Sequence, residues 1–264
     1  MLINVFLILI ILSLIFYINK KKIRKFLSKN NIKSYNIDDL DDSFVPQKKD
    51  TLLCPTDNSV VNFFCIPSNF NVVGMTSDFE AWILAVFSKK SKKIFEFGTC
   101  SGKTSLILSM NSPEDAEIDT ITLDEKSVEK LNLDGKDNKI AKRNIISESK
   151  YKKFMFSGTV YEKKINVIFQ DSQLLDISQM KNKYDLIFID GGHTYSCIKN
   201  DTEKSLEMIK EDGIILWHDF SIGKKSHSDV FKYLNELSFK IDIRHIKNTT
   251  LCYFKNKGRD GRVV

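Results

Sequence analysis

A chain of 264 residues has room for one substantial domain with extensions, and 42% hydrophobic with 28% charged residues is a globular composition. The net charge of +6 is misleading, because seven basic residues (Lys20, Lys21, Lys22, Arg24, Lys25, Lys29, Lys33) and no acid fall in residues 1–33, leaving 33 basic against 34 acidic residues beyond them. That near-neutral body excludes the global basic field of a nucleic-acid-binding protein.

The five cysteines (Cys54, Cys65, Cys100, Cys197, Cys252) show no paired metal-ligand spacing and read as reduced thiols of a cytosolic compartment. Residues 1–18 are almost wholly apolar, interrupted only by Asn4 and Ser13. As a helix they would reach about 27 Å, enough for a bilayer core. The basic residues follow this run and no small-residue cleavage site succeeds it, so a transmembrane anchor over 1–19 is expected rather than a signal peptide. The positive-inside rule then places the body in the cytoplasm. The bland alternative is an N-terminal helix buried in a homo-oligomer.

Residues 20–75 read as a basic juxtamembrane segment, a linker and a cap-like approach, with acids at Asp38, Asp39, Asp41 and Asp42 and prolines at Pro46, Pro55 and Pro67. Val60–Phe64 is a short strand or packing segment. Residues 77–89 form an amphipathic helix, capped by Ser77 or Asp78, with Phe79, Trp82, Ile83, Val86 and Phe87 on its inner face.

The organising stretch is residues 92–110. An apolar run, Ile94-Phe95-Glu96-Phe97, meets Gly98; Thr99, Cys100 and Ser101 lead to Gly102; Leu106, Ile107 and Met110 then have helical spacing. Strand, glycine turn and helix together bring backbone N–H groups close to a ligand. Gly102-Lys103-Thr104 suggests a P-loop, which would make the chain a nucleotide-binding ATPase or kinase. A P-loop needs four residues between its first glycine and the Gly-Lys pair, however, and only three stand here. The dinucleotide pattern of three glycines is also absent. An acid two positions before the first glycine suits a ligand with a cationic amino-acid end.

Asp119–Asp124 predicts a second strand ending in an acid. Asp124 can accept ribose hydroxyls or cap the helix that follows. Residues 136–158 give one helix or two broken ones. Ile165–Gln170 predicts a third strand closed by Asp171, Ser172 and Gln173. Tyr184–Ile189 is a buried strand delivering Asp190; Gly191 and Gly192 turn the chain, and His193 returns to the same crevice. A helix with Ile198, Leu206 and Ile209 inward follows. Asp212-Gly213 then turns into the strand Ile214–Trp217, which ends in His218-Asp219. Two neighbouring strand ends thus present Asp190 and Asp219, with His193 and His218 nearby. Like charges so placed call for a cation between them, such as Mg²⁺. A helix over 226–237, strands over 239–246 and 249–254 joined at Lys247-Asn248, and a tail over 257–264 complete the chain.

On these residues, Glu96-x-Gly98-x-x-x-Gly102 resembles the first motif of the class I S-adenosylmethionine-dependent methyltransferases. The resemblance covers residues 77–255. It implies an α/β, Rossmann-like, doubly wound seven-stranded sheet, mostly parallel with a C-terminal antiparallel hairpin, as the domain over 76–256. It also implies cofactor binding by Glu96, Gly98, Thr99, Ser101 and Gly102, by Asp124 at the ribose, and by Asp171 with Ser172 at the adenine. Asp190-x-x-His193 is similar to the motif of metal-dependent O-methyltransferases, especially a branch acting on sugar hydroxyls. That likeness implies Asp190 as ligand, His193 as general base and Asp219 as a further ligand of a divalent metal. His218 stands where that group has an acid or amide; as a ligand its imidazole would suit Mn, Fe or Zn better than Mg. The expected activity is metal-assisted O-methylation of a sugar or other small polyhydroxyl acceptor. A non-catalytic S-adenosylmethionine-binding module is the remaining alternative.

Overall fold

The computed structural model describes residues 30–64, 76–123, 127–128, 137, 139–149, 151–221 and 228–258. Residues 32–264 make up one compact unit. In chain order its strands and α-helices are β1 (Ser34–Tyr35), β2 (Gln47–Lys49), β3 (Leu52–Cys54), α1 (Asp78–Ser88), β4 (Lys93–Phe97), α2 (Lys103–Asn111), β5 (Glu117–Thr122), α3 (Lys139–Glu148), β6 (Ile165–Phe169), β7 (Tyr184–Ile189), α4 (Tyr195–Met208), β8 (Ile209–Trp217), α5 (Ser228–Leu237), β9 (Arg244–Ile246) and β10 (Cys252–Lys255).

The main sheet has eight strands in the order β1-β9-β10-β8-β7-β4-β5-β6. Strands β6, β5, β4, β7 and β8 are mutually parallel, and β10 runs antiparallel to both β8 and β9. The expected seven strands gain an eighth because Ser34–Tyr35 pairs in parallel with β9. From β4 the chain steps outward to β5 and β6, then returns to β7 on the other side of β4. That reversal is the topological switch point, beside which open α/β sheets bind ligands.

Side-chain alternation assigns the two faces. Phe95, Phe97, Ile187, Ile189, Ile215 and Trp217 point to one face, beneath Ile198 and Met208 of α4 and Val230 and Leu234 of α5. Ile94, Leu186, Phe188 and Leu216 point to the other, beneath Ile83, Leu84 and Phe87 of α1 and Leu108 of α2. Strands buried on both faces read as continuous apolar runs, which is why they are visible in the sequence.

Several boundaries differ from expectation. The helix α4 ends at Met208, and Ile209 opens β8 instead of closing the helix. Phe79 is 38% exposed and stacks on Trp82, while Leu84 and Ala85 take the buried positions. Ile37 and Phe44 from the polar N-terminal stretch are buried, Phe44 meeting the Trp82 ring edge-on at 5.0 Å.

The expected transmembrane helix is overturned. Among the described residues no helix is long and apolar enough to cross a membrane. The longest, α4, has 14 residues and reaches about 21 Å at 1.5 Å per residue, short of the roughly 30 Å bilayer core. The stretch 1–19 lies outside the described residues, and the membrane-anchored fold and single-pass location expected from it are corrected accordingly.

The glycine at the end of β4 is fixed by its neighbour. Gly98 has φ +100°, and a Cβ there would lie 2.2 Å from the Asp190 carbonyl oxygen on β7. Gly98→Ala is therefore expected to destabilise the fold beyond the ordinary range of about 0.5–3 kcal/mol. Gly158, at φ +78° with nothing within 4 Å of its Cβ position, bears only the left-handed backbone cost of about 1–2 kcal/mol on the same change. Denaturant unfolding of the two variants checks the contrast.

Candidate active site

At the carboxyl ends of β4, β5, β6 and β7 lies an open cleft, where open α/β sheets bind ligands. Four acids line it, namely Glu148, Asp171, Asp190 and Asp201, and its described lining holds no Lys or Arg. An anionic cleft of this kind opposes a phosphate ligand and favours a cationic one.

The glycine turn forms one wall, and its backbone is spent on the protein itself. Gly98 and Thr99 donate to the Ile121 carbonyl at 3.0 and 3.3 Å, and Gly102 donates to Thr99 at 2.7 Å. Lys103 turns away and donates to the Thr76 carbonyl at 2.8 Å. A phosphate cradle needs free N–H groups and an inward lysine, so the P-loop geometry is absent here.

The turn's predicted ligand residues divide. Gly98 lines the cleft. Thr99 is buried, its hydroxyl 2.7 Å from that of Thr120. Ser101 is buried, and its carbonyl accepts from Met155 N–H at 2.9 Å. Gly102, at φ +77°, caps α2 with the Phe156 ring and the Phe154 Cβ packed where a Cβ would stand. Glu96 is fully buried beneath α2, where it accepts from the hydroxyls of Ser105 and Thr120, the latter at 2.6 Å. Among the described residues its Oε1 has no hydrogen-bond partner. Burial pushes its carboxyl up to about 8.

The far wall carries Asp171 and Ser172, both in the cleft lining. Asp171 also caps a short 3-10 turn, accepting from Gln173 N–H at 2.9 Å. Behind them Asp201 is 2% exposed and accepts from Asn200 at 2.9 Å and from the Ser172 hydroxyl. Burial raises its pKa to about 6. Asp124 lies outside the described residues.

Beside the cleft, the ends of β7 and β8 form a corner of acids and imidazoles. Asp190 N–H donates to Phe97 at 2.9 Å and His218 N–H to Ile189 at 3.0 Å, fixing both strand ends. His193 Nε2 stands 2.6 Å from Asp219 Oδ2 and 3.8 Å from Asp190 Oδ1. Ligand atoms of Asp190, His193 and Asp219 all lie within 4.8 Å of one another. One imidazole nitrogen and two carboxylates so close can hold a divalent ion, and the donor set fits that use. His218 does not join them. Its Nδ1 lies 3.0 Å from Asp190 Oδ1, and its Nε2 faces Glu80 Oε2 at 3.4 Å, so both nitrogens are occupied by carboxylates.

The charges in this corner sustain one another. Burial works against a charged His193, yet Asp190 and Asp219 outweigh it and raise its pKa to about 10. Burial likewise opposes a charged His218, and Asp190, Asp219 and Glu80 raise it well above the usual imidazole value. The acids shift the other way: burial would raise Asp190 and Asp219, and the two histidines hold both below the usual carboxylate range. Glu148 is raised, first by burial and then by Asp190 and Asp219. The expectation of a neutral His193 therefore needs a positive charge beyond those of the chain itself.

Sequence reading missed Glu148, Asp201 and Glu80. The first two are single acids within helical stretches, with no local pattern to mark them. Glu80 did have a signal, since Ser77-x-x-Glu80 is a capping box and both of its hydrogen bonds are made. Nothing local shows that the same carboxylate also reaches His218.

Comparison with known proteins agrees with this geometry. Residues 95–220 match the family described as methyltransferase domain. No curated protein sequence matches the chain. Among solved structures, the O-methyltransferase TomG from Streptomyces achromogenes, in complex with SAM, is similar with a TM-score of 0.44 at 13% identity, covering 68% of this chain and 81% of that one. The SAH-bound methyltransferase PaMTH1 from Podospora anserina gives 0.46 at 15% identity, covering 69% and 79%. An O-methyltransferase from Bacillus cereus in complex with SAH gives 0.44 at 13%, covering 72% and 83%. The family match runs from within β4 to just past the end of β8, the strands whose ends carry the cleft and the corner.

Buried Glu96 leaves a measurable signature. Its folded pKa of about 8 lies above the ordinary value of 4.5. Between those values the folded state keeps a proton that the unfolded chain has released, so this group makes stability fall as pH rises across that window. Glu96→Gln is expected to flatten the fall, read as the midpoint of denaturant unfolding from pH 5 to pH 8. An unchanged slope would mean that Glu96 is ionised in the fold.

Proposed function

We propose that the chain is an S-adenosylmethionine-dependent methyltransferase that methylates a hydroxyl of a small polyhydroxyl acceptor such as a sugar, a reading supported by the match of residues 95–220 to the methyltransferase-domain family. The observation that carries this reading is the double position of Asp190, which lines the anionic cleft and also belongs to the His193–Asp219 corner. A sulfonium bound in the cleft and a hydroxyl bound at the corner would then meet across one side chain.

In this reading the catalytic domain extends over 76–256. Asp171 and Ser172 take the adenosine end, and Gly98 lets the methionyl end approach the strand ends. Asp190 and Asp219 would hold a divalent cation between their carboxylates. Such an ion supplies Lewis acidity that lowers the pKa of an acceptor hydroxyl and offsets the field that otherwise keeps His193 protonated. His193 Nε2 takes the hydroxyl proton. The oxygen attacks the methyl carbon in line; the carbon–sulfur bond breaks, its electron pair stays on sulfur, and a thioether leaves. The protein's contribution is chiefly alignment and exclusion of water. Two oxygen-donor carboxylates beside a cleft would suit a hydroxyl-rich acceptor, which can reach a hard ion through its own oxygens.

Purified protein is expected to bind S-adenosylmethionine in titration calorimetry and to show no heat with ATP; the reverse preference would restore the nucleotide reading. With labelled S-adenosylmethionine and a cell extract, transfer should fall on chelation and return with Mn²⁺ or Mg²⁺. Asp190→Ala should lower turnover on the identified acceptor by about 10²–10⁴-fold, the range for a positioned catalytic group. Wild-type turnover in that variant would remove Asp190 from the chemistry.

A further inference from the structure

Glu80 lies on α1, ahead of the matched residues 95–220, and its side chain is 4% exposed. Its carboxylate meets five donor groups. Oε2 accepts from Ser77 N–H at 2.9 Å and from the Ser77 hydroxyl at 2.8 Å, and it faces His218 Nε2 at 3.4 Å. Oε1 accepts from Thr250 N–H at 2.6 Å and from the Thr250 hydroxyl at 2.9 Å. A helix cap needs only the first of these sets. The others lead to the corner by two routes.

One route runs through His218, whose Nδ1 lies 3.0 Å from Asp190 Oδ1. The other runs through Thr250. Its Oγ1 accepts from Asp219 N–H at 3.3 Å, and its carbonyl accepts from Phe220 N–H at 2.9 Å. That second clamp acts on a backbone at φ +62°, the left-handed conformation of Asp219, which a non-glycine residue keeps only when its surroundings impose it. We infer that Glu80 is the positioning residue of this corner: one carboxylate, reaching Asp190 through His218 and Asp219 through Thr250, sets the separation of the two acids that hold the cation. This rests on the metal-holding role proposed above for Asp190 and Asp219.

The assignment follows from alternation along β8. Ile214 and Leu216 face α1, and His218, two residues on, continues toward the same helix. The imidazole therefore serves as a strut between α1 and Asp190. Only an acceptor serves at position 80, because every partner is a donor; Gln would turn N–H groups against one pair of them.

Two variants test the strut. Glu80→Gln disturbs both routes, and Thr250→Val removes the hydroxyl of one route at nearly constant volume. In each, Mn²⁺ affinity by calorimetry should fall about 10–100-fold, the effect typical of groups that orient metal ligands. S-adenosylmethionine affinity should stay within about twofold, showing that the cleft remains folded. Unchanged Mn²⁺ affinity in both variants overturns the inference, as does a parallel loss of both affinities. A wild-type protein that binds no Mn²⁺ overturns the metal reading instead. Amide hydrogen exchange in metal-free protein then decides the strut: faster exchange at His218 and Asp219 by at least about tenfold, with Phe97 unchanged, supports it, and equal exchange rejects it.

Discussion

The proposed chemistry of this chain depends on the approach of two strand ends. The Asp190 carbonyl occupies the space where any residue but glycine at position 98 would carry its Cβ, and Asp190 N–H donates back to Phe97. That contact closes the switch point between β4 and β7 until only the two backbones lie between the glycine turn and the acid corner. It is why one side chain, Asp190, can serve both. A longer separation would give a cleft and a corner that do not share an edge.

The corner is a costly thing to bury. Glu80, Asp190 and Asp219 hold three negative charges against the two positive charges of His193 and His218, each shifted toward its charged form by the others. Buried ion pairs repay their desolvation only with good geometry, and apolar replacements are often as stable. Stability alone is thus a weak account of five such groups in one place. The count also leaves one negative charge over. A proton on His193 and a metal cation are alternative ways of balancing Asp190 and Asp219, and only the second leaves an imidazole free to accept a proton.

The central strands were legible because they are buried on both faces and so appear as apolar runs ending in polar residues. Asp190 was legible for the same reason, as the first polar residue after such a run, and Asp171 and Asp219 as the acids one position further on. Glu96 was misplaced because it was read from its distance to Gly98. Strand alternation turns it the other way, under α2 onto Ser105 and Thr120. His218 looked like a ligand because a strand end is visible in sequence and the helix packed over it is not. The two-residue β1 was too short to leave a pattern, and its pairing with β9 joins segments more than 200 positions apart. Glu148 and Asp201 reach the cleft only through helix packing, which no local spacing encodes.

The charge of the cleft bears on how transfer could proceed. Moving a methyl group from a sulfonium to an alkoxide removes one positive and one negative charge together. The acids that line the cleft would hold a charged sulfonium cofactor more tightly than its neutral thioether product, so they would favour the exchange of spent for fresh cofactor and oppose the chemical step. The rate must therefore come from the other reactant, by lowering the cost of forming the alkoxide and by fixing its line of attack. Both demands fall on the corner rather than the cleft. In the proposed division the corner is the part braced from several elements, by hydrogen bonds from β7, β8, α1 and the loop before β10.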